Sequence, residues 1–174
     1  MKNVDPIKYK EIQDLIPICC VDILPLRLSG DKKINIESVG LIFRDTPHQG
    51  KRWCLVGGRL GRNEKIIDAI SRELYDALGK EIIFSLNENL QPNYVAEYFS
   101  IPRDKAAYDP RQHAIGLTFC IPVSGSVIPQ REALDFNWFK ISDLPSADEF
   151  GFDQNLIVKA CLDKYEIHKQ LPGA

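Results

Sequence analysis

Apolar residues fall in short runs broken by turn formers along most of the chain, and at helical spacing in three stretches. Residues 9–16 space their apolar positions like a short helix, which Pro17 stops. Residues 18–28, rich in branched aliphatics, predict a mostly buried strand. Ser29-Gly30-Asp31-Lys32-Lys33 reads as a turn and 35–44 as a second strand, so the two strands form a hairpin. A polar loop with Pro47 and Gly50 follows, then a short apolar strand at 53–56 ended by Gly57 and Gly58. The strongest periodicity lies at 64–78. There Ile66, Ile67, Ile70, Leu74 and Leu78 share one stripe, with Asn63 placed to cap the start and Gly79 to stop the end. Strands at 82–84, 94–100, 114–123 and 137–141 precede a last helix at 153–168, where Leu156, Ile157, Ala160, Cys161 and Tyr165 recur. The pattern predicts an α/β (α+β) protein of one domain over 1–174. A mixed sheet is packed between helices, an α/β/α sandwich, behind an N-terminal extension over about 1–16.

Composition narrows the function classes. The chain has 174 residues, 44% hydrophobic and 26% charged, enough for a real core and too apolar for a disordered polymer. Lys and Arg total 22 against 24 Asp and Glu, a net charge of -2. A general binder of nucleic acid polymers would carry a positive excess, whereas a small anionic ligand needs only a few placed arginines. The first residues lack the apolar core of a secretion signal, and Pro17, Asp22 and Pro25 interrupt the most apolar stretch before it could span a membrane. The five cysteines form no CxxC pair and sit mostly in apolar runs. Reduced thiols in a cytoplasmic protein are therefore expected, with no membrane partner.

The chemistry concentrates between Gly58 and Gly79. A strand, a Gly-rich turn and a helix carry Arg59, Glu64, Arg72, Glu73 and Asp76. Glu73 and Asp76 are three apart and share one helix edge beside the apolar stripe. Carboxylates in that position are ordinary surface acids or the oxygen ligands of a divalent cation; spacing alone leaves both open. The order Gly58, Glu64, Arg72, Glu73, Leu74, Gly79 resembles the Nudix box, G-x5-E-x7-R-E-U-x-E-E-x-G-U with U aliphatic. Trp138-Phe139 with Leu144-Pro145 is similar to that family's late strand and exit turn. Asp109-Pro110-Arg111-Gln112-His113 and Phe152-Asp153-Gln154 resemble its ADP-ribose pyrophosphatase branch.

The resemblance implies a Nudix fold that holds Mg²⁺ or Mn²⁺ against a diphosphate. Glu73 would be a metal ligand oriented by Arg72, with the Gly58 carbonyl facing the metal and Asp76 beside it; Glu64 and Gly79 would be structural members of the box. Glu132, six residues ahead of Trp138, matches a further metal ligand or general base of many members. Three positions depart from the box: Asp76 is one methylene shorter than its first paired acid, Ala77 replaces the second and Lys80 its closing aliphatic. The activity implied is cleavage of a nucleoside diphosphate linked to another moiety, of ADP-ribose or nucleotide-sugar type. The N-terminal stretch with Val21-Asp22 and Gly57-Gly58-Arg59 also resembles the GDP-mannose mannosyl hydrolases, which attack carbon using a His where this chain has Ala133. That glycosyl cleavage, or a catalytically silent nucleotide-binding module, is the alternative. Arg59, Arg44 and His113 are candidate substrate contacts, and Trp53 and Tyr108 either stack on a base or simply pack. The expected partner is a small nucleotide; a homodimer stays open.

Overall fold

In the computed structural model of the chain, residues 5–29 and 35–170 are described, with side chains up to Lys164 in the last helix. The turn expected at 29–33 falls almost wholly outside the described residues, as do the chain start and the Tyr165 side chain. Helix α1 (Pro6–Leu15) begins at Asp5, whose carboxylate accepts the Ile7 N–H at 2.8 Å. Ten strands follow: β1 (Ile18–Ser29), β2 (Asn35–Thr46), β3 (Gly50–Cys54), β4 (Val56–Arg59), then, after helix α2 (Ile66–Leu78), β5 (Ile82–Ile83), β6 (Tyr94–Phe99), β7 (Ala107–Tyr108), β8 (Ala114–Pro122), β9 (Ser124–Gly125) and β10 (Asp135–Lys140). Helix α3 (Asn155–Gln170) closes the described chain.

Among the described residues, eight strands form one mixed sheet in the order β10-β2-β1-β8-β6-β7, with β3 added to β2 and β4 to β1. β1 is its axis and runs parallel to β8 along Ile18 to Leu26. On its other edge β1 changes partner, pairing with β4 at Cys20 to Ile23 and with β2 from Leu26 onward. Pro25, which has no N–H to give a ladder, stands at that handover. The chain makes the matching crossing at Leu55, between β3 on β2 and β4 on β1. The Leu55 N–H leaves the ladder and donates instead to Gln154 Oε1 at 2.8 Å. The single strand expected at 53–56 is therefore two strands on different partners, and Gly57 and Gly58 lie inside the second rather than ending the first.

Helix α2 packs on this curled sheet through Ala69, Ile70, Leu74, Ala77 and Leu78. The stripe is turned from the expected one, leaving Ile66 38% exposed. Asn63 is not the cap: it adopts φ 62° in the preceding loop, and the helix starts after Lys65 without a side-chain cap. Gly79 does close the helix, at φ 87°. Its last carbonyls are satisfied by the 128–134 loop, with Ile128 N–H donating to Leu78 O at 2.9 Å and Gln130 N–H to Ala77 O at 3.0 Å. That docking brings residues 131 and 132 to the polar edge of α2. All five cysteines are free thiols, and among the described residues no helix is long and apolar enough to cross a membrane.

Candidate active site

Arg72 organises the turn between β4 and α2. Its Nε donates to Glu64 Oε1 at 2.7 Å, its Nη2 to Glu64 Oε2 at 2.9 Å and to the Arg59 carbonyl at 3.1 Å, and its Nη1 to Glu73 Oε1. Glu64 Oε2 also accepts the Gly61 N–H at 2.7 Å, closing the loop on itself. The bond from Arg72, more than any other influence, holds the Glu64 carboxyl below its ordinary range. Glu73 lies against the backbone of Gly58, where any Cβ would collide with its carboxylate. Any larger residue at 58 would have to displace that carboxylate.

Three acids line one cavity of about 300 Å³ with Gly57, Gly58 and Ala77: Glu73 and Asp76 from α2 and Glu132 from the docked loop. Asp76 is bonded by Arg131 and Glu132 by Arg44, at 2.9 Å in the second pair. Desolvation raises the Glu132 pKa; Arg44 opposes that and the Glu73 charge adds to it. Ala77 forms part of the wall where the box has its second acid. It is 3% exposed, so the missing carboxylate leaves apolar surface rather than a polar gap. Among the described residues, no three acidic, His or Cys groups are gathered around one point. A cation here would take one or two carboxylates and complete its shell from a ligand.

A second cavity, also about 300 Å³, shares Gly57, Gly58, Arg59 and Glu132 with the first. Its guanidiniums are Arg44 from β2, Arg59 from the end of β4, and Arg111, which grips Asp109 with two bonds of 2.8 and 2.7 Å. Arg59 lies 4.0 Å over the Tyr9 ring of α1. Tyr9 and Gln13 in turn donate to Gln112 Oε1 at 3.1 and 2.7 Å. The expected N-terminal extension is thus folded onto the cavity mouth. Asp22, Tyr98 and Gln154 complete the wall.

The sequence profile of a domain of unknown function, DUF4916, matches residues 3–166. A structure from Jonesia denitrificans DSM 20603, described as a possible asymmetric diadenosine tetraphosphate (Ap4A) hydrolase, is 31% identical over 87% of this chain and 96% of its own, with a TM-score of 0.79. A NUDIX-family hydrolase from Clostridium perfringens (16% identity, 88% and 99% covered, TM-score 0.60) has the same fold. So does the NUDIX domain of NrtR from Shewanella oneidensis, crystallised with ADP ribose (16%, 94% and 94%, TM-score 0.59). The chain belongs to the DUF4916 family and has the Nudix fold. No functionally curated protein matches it.

In this Nudix-fold chain the box residues Gly58, Glu64, Arg72, Glu73, Asp76 and Gly79 converge on one turn and one helix edge, and Glu132 joins them from a distant loop. Arg44 and Arg59 line the adjoining cavity. His113 does not. It stacks on Phe99 at 5.0 Å, with its Nε2 buried and unpartnered, while its neighbours Gln112 and Ala114 face the cavity. The structure thus places the His113 ring in packing against Phe99, away from the lining of that cavity. Trp53 packs too, between Phe43 and Phe139, each 4.9 Å away. Asp22, Tyr98, Gln154 and Arg111 had no assigned role in the sequence reading. For Asp22 a signal existed: it is the one charge inside the apolar run from Ile18 to Leu26.

Proposed function

We propose that the chain is a metal-dependent hydrolase that cleaves the diphosphate of a nucleoside diphosphate linked to a second group, by attack of water at phosphorus. The support is the join between the two cavities: Glu73, Asp76 and Glu132 on one side of Gly58, and the guanidiniums of Arg44, Arg59 and Arg111 on the other. A bridging diphosphate needs positive charge on its non-bridging oxygens and a base beside them, and here the two lie next to each other. The ligands named for the Jonesia and Shewanella relatives, Ap4A and ADP ribose, are both nucleoside phosphates joined to a second group through a phosphoanhydride.

The residues fit one divalent cation. Mg²⁺ is held by one or two carboxylates plus waters and phosphate oxygens, a number that Glu73 and Glu132 supply without a closed protein cage. The upward pull of Glu73 on the Glu132 pKa marks negative charge that a cation would relieve. Mg²⁺ or Mn²⁺ bound there would polarise a phosphoryl oxygen and acidify water. The chain's own groups do the rest. Arg72 fixes the Glu73 carboxylate, Arg59 neutralises phosphate at the shared wall, and Glu132 accepts the proton of the attacking water. The P–O bond of the anhydride breaks, giving a nucleoside monophosphate and a phosphorylated partner.

A second reading has its own observation. Each acid is already bonded to a guanidinium: Glu73 to Arg72, Asp76 to Arg131 and Glu132 to Arg44. Neutralised acids suit a nucleotide-binding module without turnover. Attack at sugar carbon has no such support, because the position of its base is Ala133, a buried methyl group. One experiment separates the three. ADP-ribose, GDP-mannose and Ap4A are incubated in ¹⁸O-water with Mg²⁺ or Mn²⁺. The expected result is label in a phosphate product, with turnover lost in EDTA and in Glu73→Gln. Turnover that survives both, or label on a sugar carbon, refutes the proposal; tight binding without turnover moves it to the silent module.

A further inference from the structure

One carboxylate in the arginine-lined cavity has no part in the reaction above. Asp22 lies in the middle of β1, 7% exposed. It is flanked by the backbones of Gly57 on β4 and Gly116 on β8, where a Cβ on either glycine would collide with its oxygens. Two glycines on two neighbouring strands therefore make room for this side chain. Burying a carboxylate is costly unless its oxygens find donors, and one of them does. Tyr98 donates to Asp22 Oδ2 at 2.8 Å, Gln154 Nε2 donates to the Tyr98 oxygen at 3.0 Å, and the Leu55 N–H donates to Gln154 Oε1 at 2.8 Å. This chain of bonds has one sense. Leu55 fixes which end of the Gln154 amide faces the tyrosine, and the phenol proton is left only Asp22 to go to.

Oδ1 receives no hydrogen bond from any described residue. The cavity's guanidiniums are engaged elsewhere: Arg44 with Glu132 at 2.9 Å, Arg111 with Asp109 at 2.7 Å, and Arg59 over the Tyr9 ring at 4.0 Å. Oδ1 is left to the cavity, so a ligand group that displaces water from it has to be a donor. Arg44, Arg59 and Arg111 are matched on this wall by Asp22, Asp109 and Glu132, so the cavity has no surplus negative charge that calls for a cationic group. Of the three aromatic rings there, Tyr9 and Phe152 each already carry a guanidinium and Tyr98 is buried with its hydroxyl bonded to Asp22, so the wall offers hydrogen bonds rather than a free aromatic face for a base. A neutral hydroxyl meets all of these conditions.

We propose that Asp22 is a specificity-determining residue of this cavity, its Oδ1 accepting a hydrogen bond from a hydroxyl of a sugar linked through the diphosphate. This rests on the function proposed above and adds which part of the linked group is read. A site built to bond a hydroxyl rejects the analogue lacking it, because its own polar atom is then left unpaired.

The test measures Kd by calorimetry, and kcat/KM where turnover occurs, for ADP-ribose, GDP-mannose and UDP-glucose. For the one that binds tightest, analogues each lacking one sugar hydroxyl follow. The wild-type chain should lose about 10- to 100-fold on one analogue. Asp22→Ala should lose a similar factor on the parent ligand and be indifferent to that missing hydroxyl. Asp22→Asn, nearly isosteric, presents an amide N–H₂ in place of Oδ1 and serves if the alanine variant fails to fold; it should flatten the same discrimination. Either variant retaining the wild-type discrimination overturns the proposal. So does hydrolysis of Ap4A with no binding of the three sugar nucleotides, which would leave the proposed function standing. Binding with no turnover refutes the hydrolase reading, and the role of Asp22 is then read from Kd alone.

Discussion

At about pH 8 a chain carrying Asp22→Asn should melt above the natural one. Burial pushes the Asp22 carboxyl up from an ordinary 3.8 to about 6; the Tyr98 bond pulls it down and the Glu73 charge pushes it further up. Protonated Asp22 is thus favoured in the folded state. The stability this lends is complete below 3.8, and is lost as pH rises through about 6. Above that window the folded chain carries an ionised, buried carboxylate at a cost of about 3 kcal/mol, the difference between the two pKa values at about 1.4 kcal/mol each. Asparagine keeps the shape and leaves its amide oxygen to Tyr98, exchanging a charged acceptor for a neutral one at a loss of about 1 kcal/mol. The net gain is about 2 kcal/mol, or a rise in Tm of about 4–8 °C for a chain of this size. Thermal melts in EDTA, which keeps divalent cations out, at several pH values between about 3.5 and 8 measure it. The advantage of the variant should appear across the window and be absent at its acid end. A variant less stable than wild type at pH 8, or a difference that does not change with pH, would refute the placement of a buried carboxylate in the sheet. A residue that destabilises its own fold at neutral pH is expected where function needs it.

Three further substitutions test the box. Gly58→Ala should displace the Glu73 carboxylate and lower kcat about 100-fold with the circular-dichroism spectrum unchanged; wild-type turnover would show that Glu73 does not need its contact with the Gly58 backbone. Ala77→Glu puts a carboxylate at a position only 3% exposed, costing about 2 kcal/mol in EDTA. Millimolar Mg²⁺ should recover more of its Tm than it adds to the wild type, and identical melts in both buffers would count against a cation at this wall. Glu64→Gln should lower Tm at neutral pH. Because the Glu64 pKa is depressed in the fold, its stabilisation is present above 4.5 and lost as pH falls through the lower folded value. The gap between variant and wild type must therefore close as pH falls below that folded value, and a gap that stays open in acid would contradict the Arg72 pairing.

The sequence by itself determined the part of the site that is local. Gly58, Glu64, Arg72, Glu73, Asp76 and Gly79 lie within one turn and one helix, so their spacing carries the geometry that brings them together. The amphipathic stripe fixed α2 to within two residues, and the β1–β2 hairpin followed from two apolar runs around a turn signal. The errors were also local ones. Asn63 looked like a cap because nothing in the sequence says that Glu64 will be drawn to Arg72, and 53–56 looked like one strand because a partner change leaves no mark on hydropathy. Tertiary structure decided the second cavity. Asp22, Tyr98 and Gln154 are separated by 76 and 56 residues, Leu55 and Gln154 by 99, and apart from the charge of Asp22 inside an apolar run nothing in their own segments marks them. They meet only because Pro25 and Leu55 turn the sheet over at β1, and because α3 is entered through the turn at Gly151–Asp153. A hydrogen bond across such separations depends on the whole fold for its geometry, and a single sequence records none of it. His113 shows the same limit from the other side: its place before β8 suggested a ligand contact, and which face it turned was decided by Phe99 on the neighbouring strand.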